Sequence, residues 1–287
     1  MRRQSPGKSF SVAIAFAVTL ALAPSAGASD FWDEVRTPGL RAYRRLVEQS
    51  RSALESGAYQ EALRKAQNAA VRMKDRAPAH LLRALALGRL QRYGAAVDAL
   101  ERALLLDGEF LGDVEQEMAA VRLAMRAGAY ELADRILCRL PERMAQGQKR
   151  GAVYALQGDL LQLLGPERLS AAILSYRLAL REAEPRQRPA LLLGLALALH
   201  RNGKPERARE LGLRAGDRRV AERALRSLPL PPGERAARLA VMLEAHGDGD
   251  GARRRWSTAA KAGAWKSHAR SSSTSLQKAD SATGARP

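Results

Sequence analysis

From about residue 43 to residue 265, apolar positions recur at spacings of three and four with Arg and Glu between them, and few stretches alternate with period two. That pattern predicts short amphipathic helices and argues against a sheet. The helices come in pairs. Gly57-Ala58-Tyr59-Gln60-Glu61-Ala62 sets the layout of the first pair. Glycine permits the turn, Ala62 lets two helices approach closely, and Ala69 returns on the same face two turns later. The segment from Asp217 to Leu228 reads as an additional helix, which Pro229-Leu230-Pro231-Pro232 must stop.

The paired layout resembles the tetratricopeptide repeat, a helix-turn-helix unit of about 34 residues. Six copies align. Repeat position 20 is Ala62, Ala96, Ala133, Ala172, Ala208 and Ala252, and position 27 is Ala69, Ala103, Leu140, Ala179, Ala215 and Ala259. Position 24 is Ala66, Leu100, Leu137, Tyr176, Gly212 and Trp256, and position 8 is Ser50, Ala84, Val121, Gly158, Ala196 and Ala240. The turn glycines are Gly57, Gly128, Gly165, Gly203 and Gly247, with Gln91 the exception. Alanine makes up 55 of 287 residues, so the linked set carries the resemblance and no single alanine does. Spacings of 34, 37, 39, 36 and 44 residues between the position-20 alanines require loop insertions after the second copy. A generic helical bundle or another α-solenoid would share the periodicity.

The resemblance implies an all-α, right-handed α-solenoid of about five to six TPR-like repeats over residues 43–265, with the first helices of the pairs lining a concave groove. The groove positions of the family map onto Val47, Arg51, Leu81, Leu85, Arg89, Met118, Arg122, Met125, Arg126, Asp159, Leu193, Leu197, His200, Arg201 and Val241. Such a lining suits a protein or peptide partner with apolar anchors and carboxylates, because Arg holds a carboxylate through paired hydrogen bonds. The competing reading of the arginines is ordinary solvated helix surface. Family members that clamp a C-terminal carboxylate use Lys and Asn at the matching positions. That Asn set is missing here.

The N-terminus changes the picture of location. Arg2, Arg3 and Lys8 precede an uncharged run from Phe10 to Leu22, and Ala26-Gly27-Ala28 supplies the small residues of a cleavage site. This is the pattern of a secretory signal peptide over residues 1–28, with an uncleaved anchor as the alternative. The expected product is exported, periplasmic or secreted, without a transmembrane span once the signal is removed. Residues 29–42, with Phe31, Trp32 and Val35, read as a lead-in that caps the first pair, and residues 266–287 as a disordered, basic, Ser-rich tail.

The net charge of +18 is spread along the chain. It favours acidic partners and allows a second reading, an electrostatic adaptor on anionic lipid or envelope polymer. Nucleic acid is the least favoured polyanion, since aromatics for base stacking are only 5% of residues.

Nothing in the sequence marks an enzyme, a cofactor or a metal site. His80, His200, His246 and His268 are dispersed, no Gly-rich phosphate loop is present, and Asp248-Gly249-Asp250-Gly251 lacks the later Glu of a calcium loop. A single cysteine, Cys138, excludes a disulfide framework and reads as a buried structural thiol. The function class that remains is a non-enzymatic interaction scaffold.

Overall fold

The computed structural model describes residues 35, 37–107, 113–143, 149–226, 228–230, 233–262 and 265–283. The expected signal peptide, with Phe31 and Trp32 of the lead-in, lies outside the described residues.

Among the described residues the regular elements are helices. Six pairs succeed one another: α1 (Leu40–Glu55) with α2 (Tyr59–Arg72), α3 (Ala77–Arg89) with α4 (Tyr93–Leu106), and α5 (Val114–Ala127) with α6 (Tyr130–Leu137). After the single turn α7 (Leu140–Arg143) come α8 (Lys149–Leu164) with α9 (Leu169–Glu182), and α10 (Arg188–Arg201) with α11 (Pro205–Arg214). The inserted α12 (Arg218–Arg226) precedes α13 (Glu234–Ala245) with α14 (Gly249–Ala260), and α15 (Lys266–Thr283) closes the array.

The residues aligned as repeat positions 8, 20, 24 and 27 are buried in all six copies. Small residues there bring helix axes close, and the larger Leu, Tyr and Trp fill what remains. Each second helix packs on the first helix of the next pair. Consecutive first helices also touch, as α1 with α3, α3 with α5, α8 with α10, and α10 with α13, whereas consecutive second helices barely meet. The first helices therefore lie on the inside of the curve. This is an all-α solenoid with apolar clusters in succession along it, the two largest joined by Leu163 and Leu164, which pack on both.

The turns explain the glycines. Gly57, Gly128, Gly203 and Gly247 sit at φ of 80°, 80°, 69° and 79°. Gln91 adopts 61° at the equivalent place, so the left-handed turn belongs to the architecture and is imposed on a side chain that disfavours it. Asp113 caps α5, its carboxylate accepting from the Gln116 N–H at 2.8 Å, and Asp248 does the same for α14 with Gly251 at 2.8 Å. The Asp248–Gly251 run is thus a helix start.

Two expectations are corrected. Residues 266–283, expected disordered, form α15: Trp265, Ala269 and Ser272 are buried and Leu276 is half-buried against α14 and the preceding core. Spacings of four, three and four make one stripe, and a serine read as polar tail occupies a packed position within it. Cys138 is exposed at the end of α6, its thiol donating to the Arg135 carbonyl at 3.4 Å.

Candidate functional site

The inner face carries a chain of depressions. The first, about 380 Å³, lies between α1, α3 and α5, lined among others by Arg51, Leu54, Leu85, Arg89, Gln116 and Ala119. A second, about 170 Å³, continues along Leu85, Gly88, Arg89, Ala119, Arg122 and Arg126 to Pro229. The third, about 210 Å³, is walled by Arg122, Ala152, Ala155, Asp159, Leu191 and the Leu228–Leu230 segment. Shared residues make one continuous groove.

Of the residues assigned to the groove from sequence, Arg51, Leu85, Arg89, Arg122, Arg126 and Asp159 line it. Val47 is half-buried against the Tyr43 and Met73 cluster. Leu81, Met118, Met125, Leu193, Leu197 and Val241 are a correction, because each is buried in the core. Neighbouring first helices touch, so their large apolar residues fill the seam between helices and leave the shorter or charged ones facing outward. His200 and Val241 border a separate cavity walled by α11, away from the inner groove. Arg201 is committed internally: it donates to the Gln162 carbonyl and stacks over Trp265 at 4.9 Å.

Among the described residues the side chains of Arg89, Arg122 and Arg126 make no ion pair or hydrogen bond. Burial lowers the pKa of Arg122, while Glu115 and Asp159 oppose the shift from a distance. A half-desolvated guanidinium without a direct partner on the groove wall is ready to donate paired hydrogen bonds to a carboxylate.

The C-terminal end of the groove has a polar floor. Arg238 of α13, fully buried, bonds both Glu234 on its own helix and Asp159 of α8. It also donates to the Ala190 carbonyl at 3.0 Å and to the Tyr176 hydroxyl at 3.1 Å. Tyr176 donates to Asp159 at 2.6 Å and accepts from Gln162 at 2.8 Å. Complete burial pushes Glu234 up to about 8 against the pull of Arg238, and burial likewise raises Tyr176 well above the ordinary phenol value. Burial works against the charge on Arg238, but Glu234, Tyr176 and Asp159 overcome it and raise its pKa. Tyr176 fits because Gly158 and Gly194 flank its ring: an added Cβ would stand 2.8 Å and 2.7 Å from ring carbons.

A second cluster was invisible as a set in the sequence. The Trp256 indole donates to Glu244 at 2.5 Å, and His200 Nε2 lies 3.0 Å from the same carboxylate. A carboxylate only accepts, so Nε2 carries a proton, and on the other side of the ring His200 Nδ1 shares a hydrogen bond with His268 Nε2 at 3.1 Å. Burial first, then His200 and Arg201, lower the His268 pKa to about 3. The chain pins α15 to α10 and α13. Among the described residues no group of three or more His, Cys, Asp or Glu is placed to hold a metal, and no helix is long and apolar enough to cross a membrane.

The paired helices, nested small residues and inner groove match solved repeat structures. YrrB, described as a TPR protein with an unusual peptide-binding site, superposes with a TM-score of 0.53 at 15% identity, covering 69% of this chain and 97% of that one. The chain has the tetratricopeptide-repeat fold. PilW, a widely conserved type IV pilus biogenesis factor, shares the TPR fold at a TM-score of 0.51 and 13% identity, over 75% of this chain and 91% of that one. No family model matches the sequence, and no curated protein matches it significantly.

Proposed function

We propose that this chain is a non-enzymatic binding scaffold that holds an acidic, apolar-anchored polypeptide segment along the inner groove, outside the cytoplasm. The observation that carries the reading is Arg89, Arg122 and Arg126, without side-chain pairs among the described residues, ranged with Leu85, Ala119 and Leu123 around the second depression. Each exposed Arg–carboxylate pair adds only about 0.2 to 1 kcal/mol, so apolar anchors must supply most of the affinity and the arginines the direction and selectivity. The peptide-binding site named for YrrB supports a polypeptide ligand, and the signal-peptide pattern over residues 1–28 supports export.

The test is affinity capture from envelope extract with wild type and with Leu85→Glu plus Arg122→Glu, after circular dichroism shows equal helicity. Loss of one partner in the variant, with wild-type retention in moderate salt, supports the scaffold. Retention indifferent to the variant and abolished by salt favours binding of an anionic surface instead. Met125, only 2% exposed, is no use as a groove probe.

A further inference from the structure

The chain that leaves α12 does not run clear of the groove. Leu228 and Leu230 are half-buried against the apolar cluster of α10, α12 and α13, while Pro229 between them is exposed and forms a wall of the second and third depressions. It thereby faces Leu85 and Arg126, more than a hundred residues earlier in the sequence. The prolines after Leu228 and Leu230 bias both leucines to extended backbone. Two long hydrogen bonds hold Leu228 among the described residues: its N–H to the Leu225 carbonyl at 3.4 Å, and its carbonyl from Arg235 at 3.3 Å.

This segment lends the groove apolar surface and mismatches it in charge. It brings leucines and a proline but no carboxylate to Arg122, and it follows Arg223 and Arg226, both exposed, into a region already rich in arginine. Glu222, the acid of α12, is engaged by Arg218 at 3.0 Å and Arg255 at 3.2 Å.

We infer that Leu228–Leu230 is an internal occupant of the groove, and that a partner binds by displacing it with an extended Leu-Pro-Leu type segment flanked by carboxylates. The inference rests on the scaffold reading above. The partner repeats the apolar spacing of the internal segment and adds the charges that segment lacks. The incomplete burial of both leucines, the long hydrogen bonds of Leu228 and the exposed proline make displacement feasible. Competition sets the apparent affinity, which falls by the fraction of molecules whose groove is free.

The probe is a fluorescent synthetic peptide, Asp-Glu-Leu-Pro-Leu-Asp-Glu, titrated against the full chain by anisotropy. Leu228→Ser with Leu230→Ser is expected to bind it about tenfold tighter than wild type, as for a segment seated about nine-tenths of the time. Leu85→Glu is expected to abolish binding, and a probe with Lys in place of Asp and Glu to bind at least about tenfold more weakly. Because the serine variant could loosen α12, hydrogen exchange on wild type provides an independent readout: the probe should speed exchange at the Leu228 and Leu230 amides. Equal affinity for wild type and serine variant, with exchange unchanged, overturns the internal occupant and leaves the scaffold standing. Binding that ignores Leu85→Glu overturns both, and absence of binding to either protein overturns this choice of occupant.

Discussion

The first three pairs and the last three share one layout and are held together differently. From α1 to α6 the joints are mainly methyl and leucine contacts, with Ser50 donating to the Ala62 carbonyl at 2.9 Å as a local polar tie. From α8 to α15 a guanidinium, two carboxylates, a phenol and a histidine pair are folded into the interior. The first half is a run of near-equivalent hairpins. The second is a set of hairpins fastened across one another, because Arg238 of the sixth pair reaches Asp159 and Tyr176 of the fourth. In an ordinary solenoid each repeat meets only its neighbours. A repeat layout thus sets the packing, and individual side chains decide which repeats act as one.

The largest test of that contrast is Arg238→Ala, which strands a buried Glu234 and should destabilise the C-terminal half by about 3 to 5 kcal/mol in urea unfolding. Arg89→Ala in the other half should stay within about 0.5 kcal/mol. Acid should separate the halves next. His268 has an ordinary value of 6.5 and a folded value of about 3, so its neutral form is the one the fold holds. Stability from this group is complete above 6.5 and is lost as pH falls from 6.5 toward 3, with His200 and Arg201 facing the ring and Glu244 reached through His200. Docking of α15 should weaken about thirtyfold between about pH 7.5 and pH 5, seen as faster amide exchange over residues 265–276, with α1 to α4 unchanged. A smaller effect, about 1 to 2 kcal/mol of destabilisation, is expected for Gly194→Ala, whose methyl would press on the Tyr176 ring. The smallest sharpens the contrast from the other side: Gln91→Gly should stabilise the first half by about 1 kcal/mol, since residue 91 sits at φ 61°. Thermal denaturation would read both.

The hairpin layout was legible because it depends on residues close in sequence. The small residues at positions 8, 20 and 27 recur at helical spacing and are buried in every copy, and Gln91 keeps the turn geometry without the glycine. The site was legible only in part. Arg51, Leu85, Arg89, Arg122, Arg126 and Asp159 were found, while Met118, Met125 and Leu193 were misplaced because sequence does not report how tightly neighbouring first helices close. The Arg238 network joins residues 79, 62 and 48 apart, and His200 meets His268 across 68, distances over which periodicity carries no signal. Pro229-Leu230-Pro231-Pro232 reads as a helix stop, which its prolines explain, but that Leu228–Leu230 also walls an inner depression follows from tertiary packing alone.

The reach of Arg238 past an intervening hairpin also has a mechanical meaning. Pulled from its two ends, the molecule would shed its early hairpins one after another at modest force, then stall. The remainder would yield as a block, at the moment one buried guanidinium lost its grip on the far side.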